Sequence, residues 1–125
     1  MPASAPHLPQ LAQIEAYGNG GFRFAGMSHR GSILCLPSGI WGWRPTHADE
    51  IDDAALAPVF GEADRLAFFL LGTGPRLWIM SDHLRRRFAE LRITVETMPT
   101  GAAVRTYNIV LAEGRPAAAG FLAVD

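Results

Sequence analysis

At 125 residues the chain has the length of one domain, long enough to bury a core without disulfide or metal staples. Hydrophobic residues make up 49% and charged residues 18%, with a formal net charge of −1. That balance predicts no general attraction to nucleic acid, and no apolar run approaches the roughly 20 residues that a membrane-spanning helix needs. All eleven basic residues are arginine, which excludes Schiff-base catalysis through lysine and a Walker A loop.

Residues 1–10, "MPASAPHLPQ", hold three prolines and little that could pack. They read as a flexible arm, with residues 11–125 as one domain. The start lacks a secretory signal's basic and apolar regions. Together with Cys35, a lone cysteine that can form no internal disulfide, this places the protein in the cytoplasm. "QIEAY" and "FRFAG" alternate as strands do, with "GNGG" as the turn between them. "SHRG" reads as a second turn. "SILCLPSGIWGW" is a further β stretch, broken or bent at Pro37-Ser38-Gly39. Trp41 and Trp43 are two residues apart and share one face of that strand. They are either core or a patch for a partner or a second copy of the chain.

"RPTHADEIDDAALAPVFGEAD" is acidic, with room for one or two short helical turns and Pro58 to limit them. Asp49, Glu50, Asp52 and Asp53 suit a solvated helix start better than a calcium loop, which also needs its glycine and distal Glu. "RLAFFLLGT" is continuously apolar, the pattern of a strand covered on both faces. "RLWIM" reads as a short extended piece. Ser81 or Asp82 caps a helix to Leu91, in which Leu84, Phe88 and Leu91 share a face. "ITVETM" is a strand. Pro99-Thr100-Gly101 opens a helix ending near Glu113 with Gly114 as its stop, and "RPAAAGFLAV" returns as the last strand. The whole is an α/β fold: a single layered domain with a central mixed β-sheet, N-terminal β-hairpins and two main helices.

The break "LGTGP" after a buried strand asks whether it cradles a ligand. "GTGPRL" lacks the third glycine of the dinucleotide fingerprint, and Pro75 removes an amide donor. It reads first as a strand-end turn. The other reading is a crevice between Gly72-Thr73-Gly74 and the helix start at Thr100-Gly101, where free amides receive a small anion. Arg105 would supply counter-charge there, and Tyr107 or Asn108 would orient the ligand. For Asn108 the competing role is to tie its helix to a neighbouring loop. No serine elbow and no paired metal-ligating histidines occur; His7, His29, His47 and His83 are scattered. No catalytic residue, metal or cofactor is therefore assigned.

The order "SILCLPSGIWGW", "FFLLGTGP", "ITVETMPTGAAVRTYNIVLAEGRPAAAGFL" resembles the Mth938-like family, also called the DUF498 domain, from Ile14 to Leu122. The matching motif positions are Gly72, Gly74, Thr100, Ala103, Thr106, Tyr107 and Asn108. The resemblance implies an α/β fold layered about a mixed sheet and no established enzymatic activity. One mitochondrial member of that family is an assembly factor for respiratory complex I, and another animal member is linked to fat-cell differentiation. It therefore implies a protein-interaction or assembly module, with a protein partner or homo-oligomer. The alternative is a small-anion-binding protein or weak enzyme that uses the GTG turn and the Thr100 helix start.

Overall fold

The computed structural model describes residues 5–125. Its centre is a five-stranded sheet in the order β5-β4-β8-β6-β7: β4 Ser32–Leu36, β5 Gly39–Trp43, β6 Phe68–Gly72, β7 Thr94–Met98 and β8 Ala119–Phe121. β4 runs antiparallel to β5 and β8, whereas β6 lies parallel to both β7 and β8. A smaller antiparallel sheet holds β1 Ile14–Gly18, β2 Gly21–Phe24 and β3 Met27–Arg30.

Side-chain alternation in the central strands makes two cores. On one face Leu34, Leu36, Phe69 and Leu71 pack under Leu56 and Val59 of α1 (Asp53–Phe60) and under Leu84 and Phe88 of α2 (Asp82–Glu90). On the other, Ile33, Cys35, Leu70 and Phe121 meet Ala103, Tyr107 and Val110 of α3 (Thr100–Ala112). Phe22 and Phe24 of the small sheet complete that second core. The mixed-sheet α/β architecture expected from the pattern is present, with α1 as a third helix beside the two main ones.

Local chemistry explains the element ends. The Ser81 hydroxyl accepts from the Leu84 amide at 3.3 Å and starts α2, and Asp52 accepts from Ala55 at 2.9 Å and starts α1. Pro58 lies inside α1 but does not break it within its eight residues. Gly114, with φ of 74°, ends α3 as expected.

Three local expectations are corrected. "SHRG" is mostly strand: Met27–Arg30 pairs in register with β2, and the chain reverses at Ala25-Gly26 instead. Pro37-Ser38 is a complete hairpin reversal, since Leu36 pairs with Gly39. Of the expected arm 1–10, Met1–Ser4 lie outside the described residues, while His7 and Leu8 hydrogen-bond to Ile40 of β5. Backbone pairing holds that part in place where apolar content alone would not.

Gly120, at the middle of β8, has little space around it. A Cβ there would sit 2.9 Å from Cζ3 of Trp43 and 3.1 Å from Cδ2 of Leu34. Gly120→Ala is expected to overpack this layer and destabilise the fold by about 1–3 kcal/mol. Urea unfolding followed by tryptophan fluorescence measures this, and an unchanged midpoint would mean that the Trp43 ring can move aside.

Candidate functional site

The turn after β6 and the start of α3 do meet at one rim of the central sheet. The Thr100 amide donates to the Gly74 carbonyl at 2.8 Å, and the Gly74 amide donates to Thr100 Oγ1 at 2.9 Å. The Thr100 hydroxyl in turn donates to the Leu122 carbonyl at 2.8 Å. Gly74 has φ of 94°, a conformation that glycine adopts without a steric penalty. The Thr73 amide donates to Met98 at 2.9 Å, and its hydroxyl to Arg76 at 2.6 Å. The ends of β6, β7 and β8 and the first turn of α3 are thus knotted together.

This junction is closed. Thr100 is fully buried and Thr73 nearly so, and both hydroxyls already serve backbone carbonyls. A Cβ at Gly72 would lie 3.1 Å from the Thr100 Cα and 3.2 Å from Ala103 Cβ, so the turn packs directly on the helix. Pro99, not Thr100, occupies the N-cap position of α3. The Thr100 hydroxyl is drawn instead to the strand ends, where buried groups need it. At Gly101 the Tyr17 hydroxyl lies against the helix start, so close that a Cβ would come within 2.6 Å of it. No observation at these residues favours a bound anion.

Two of the other candidates, Asn108 and Tyr107, serve the fold in the same way. Asn108 acts as a neighbouring strand would: its Oδ1 accepts from the Ile14 amide at 2.8 Å and its Nδ2 donates to the Ile14 carbonyl at 2.9 Å. It therefore ties α3 to strand β1, where a tie to a neighbouring loop was expected. The Tyr107 hydroxyl donates to the Ala12 carbonyl at 2.9 Å, and its ring meets Phe121 edge to face. Arg105 is exposed. The acidic cluster is likewise occupied: Asp52 caps α1, Glu50 accepts from the Thr46 and His47 amides, and Asp53 pairs with Arg87 and His83.

Trp41 and Trp43 share a face, as their spacing requires, but that face turns inward. Trp43 is buried and donates its indole N–H to Ala55 of α1 at 2.9 Å, while Trp41 packs at the edge of the same core and donates to Ser38. Spacing did not single out the most exposed apolar side chains: Ile109 of α3 is 60% exposed, and Leu77 and Ile79 more so, at 66% and 80%. Leu77 and Ile79 alternate with Trp78 and Met80, which point into the core. The alternation was readable in "RLWIM", but not which side faced water. Among the described residues no group of three or more His, Cys, Asp or Glu side chains could hold a metal, and no helix is long and apolar enough to cross a membrane.

Burial pushes the Cys35 thiol up to about 12, which leaves it protonated and unreactive at neutral pH. An aromatic disulfide reagent is expected to label it only after unfolding; labelling of the folded protein would contradict this. Thr100→Val keeps the shape but strands the Gly74 amide and the Leu122 carbonyl. It should destabilise the fold by at least about 1–3 kcal/mol in urea titration, with Thr100→Ser losing much less. Equal losses would show that the hydroxyl does not matter.

Comparison with known proteins gives these residues a family. A crystal structure described as that of an outer membrane protein from Bartonella henselae superposes with a TM-score of 0.91 at 50% identity, covering 95% of this chain and all of that one. The solution structure of a Bordetella pertussis protein described as a Mth938-like domain superposes with a TM-score of 0.78 at 27% identity, over 98% of this chain and 89% of that one. NADH dehydrogenase [ubiquinone] 1 alpha subcomplex assembly factor 3 of Bos taurus is 25% identical over 91% of this chain, which spans 62% of that protein. The model for the family described as protein of unknown function (DUF498/DUF598) matches residues 14–122. With the GTG turn, the Thr100 junction and the Asn108 tie all inside that span, the chain belongs to the DUF498, Mth938-like family.

Proposed function

We propose that this protein is a non-catalytic interaction or assembly module that serves a respiratory multi-subunit complex. Its similarity to an NADH dehydrogenase assembly factor supports the complex, over the part of that protein which the chain spans. The observation that carries the interaction reading is the segment Arg76–Met80. The Thr73 hydroxyl holds its beginning through the Arg76 carbonyl, and Arg85 holds its end by donating to the Met80 carbonyl at 3.2 Å. Trp78 and Met80 anchor it in the core, so Leu77 and Ile79 are presented outward on a fixed stretch of chain. A preordered apolar pair loses little entropy when a partner covers it. Arg76 beside it favours a partner surface that combines apolar and acidic side chains. The inward-facing Trp41 and Trp43 do not provide such a surface. A cytoplasmic location belongs to the same proposal; a free, unpaired Cys35 suits reducing surroundings.

The test is genetic and biochemical together. Removing the gene from its host is expected to deplete the assembled NADH dehydrogenase complex on native gels. The double variant Leu77→Ser, Ile79→Ser should not restore it. Both positions are exposed, so that variant should unfold within about 0.5 kcal/mol of the parent. Normal assembly without the gene would overturn the respiratory reading. Full restoration by the double variant would remove the surface proposed for it.

A further inference from the structure

The segment ahead of β1 crosses the outer edge of β5, an edge that otherwise faces no strand among the described residues. The His7 amide donates to the Ile40 carbonyl at 2.8 Å, and the Ile40 amide donates to the Leu8 carbonyl at 2.9 Å. Two glycines of β5 leave room for it. A Cβ at Gly39 would collide with the Leu8 carbonyl oxygen and lie 3.1 Å from Pro6 and Pro9 atoms. A Cβ at Gly42 would lie 3.2 Å from His7 Nε2 and 3.4 Å from His29 Cε1. Over Gly42 the two imidazoles meet, one from this segment and one from β3, with ring centroids 4.5 Å apart.

Two rings at that distance cannot both carry charge without strong mutual repulsion. The surroundings offer little compensation. In the β2–β3 register His29 lies opposite Phe22, whereas Arg30 and, from β2, Arg23 occupy positions on the other face of the small sheet. Glu15 of β1 is engaged by Arg23 at 3.4 Å. On β5, Gly42 lies under both rings, and Arg44, two residues further on the same face, is exposed. Partial burial and the neighbouring His7 lower the affinity of His29 for its proton, with the backbone of Ser32 acting weakly the other way. The folded state thus favours the neutral ring. The stability this contributes is fully present above the ordinary imidazole range and is lost as pH falls through and below it.

We propose that residues 6–9 form a pH-released strap: neutral His7 and His29 let it close over the β5 edge, and protonation of the pair lifts it away. Release would uncover the outward amide and carbonyl of Ile40 on a strand edge, the kind of edge to which another extended chain adds. The strap covers or frees this edge independently of the Leu77 and Ile79 surface.

The full-length chain, labelled with nitrogen-15, tests this by amide hydrogen exchange between about pH 8 and about pH 5, corrected for the intrinsic rate. Ile40 is expected to lose protection by at least about tenfold on acidification, while Leu70 in the central sheet keeps its own. His7→Gln and, separately, His29→Gln should abolish most of that loss. The ring proton signals of His29 should titrate at higher pH in His7→Gln than in the parent. An Ile40 amide that is unprotected even at the upper pH overturns the strap. So does a pH response that survives both substitutions, or a His29 ring whose titration is unchanged in His7→Gln.

Discussion

The Thr100 hydroxyl is the point on which the rest of the structure depends. It accepts from Gly74 and donates to Leu122, joining segments 26 and 22 residues away in the chain. Parallel strands need long crossovers, so their ends must be brought together by something other than a tight turn. Here one buried side chain fixes the relation of β6, β8 and α3, while Thr73 adds the end of β7. A buried hydroxyl with both partners in place stabilises modestly, but losing either partner is costly, so the geometry admits little variation.

From that junction the two cores follow. α3 can cover one face of the sheet only if it starts against Gly72, where the missing side chain lets Thr100 and Ala103 approach. Asn108 then fixes the small sheet to the same helix by satisfying both backbone groups of Ile14. The opposite face is closed by α1 and α2, with the Trp43 indole hydrogen-bonded to Ala55. Of the residues that looked like ligand-binding groups, Thr73, Gly74, Thr100, Tyr107 and Asn108 act as internal ties, while Arg105 is exposed. Glycine next to threonine at a strand end serves a phosphate when amides stay open and serves packing when they are paired. At Gly74 and Thr100 they are paired.

The features left for function lie away from this junction. Leu77 and Ile79 project from a segment whose neighbours are anchored in the core, and the His7–His29 contact sits on the far edge strand. One is a fixed apolar pair and the other a close contact between two imidazoles. A module that works by contact with other chains needs no catalytic set. Its surface needs places that are ordered beforehand and places that can be opened.

Much of the fold was legible in the residues. Ser81 and Gly114 marked helix ends because capping is decided within a few residues, and "FFLL" announced a strand covered on both faces. The family was legible as well, because its motif residues recur in a fixed order, from the GTG turn to the stretch around Thr100. "SHRG" was misread because a polar strand at the edge of a small sheet has no apolar period, and only pairing with β2 reveals it. The sequence by itself determined which residues share a face, where helices start and stop, and that Trp41 and Trp43 lie together. Only the tertiary structure decided that those indoles turn inward, that Thr100 closes the rim instead of opening it, and that His7 meets His29. Periodicity and caps act over a few residues, whereas burial and hydrogen-bond partners depend on segments up to 94 and 95 positions apart, as for Asn108 and Tyr107.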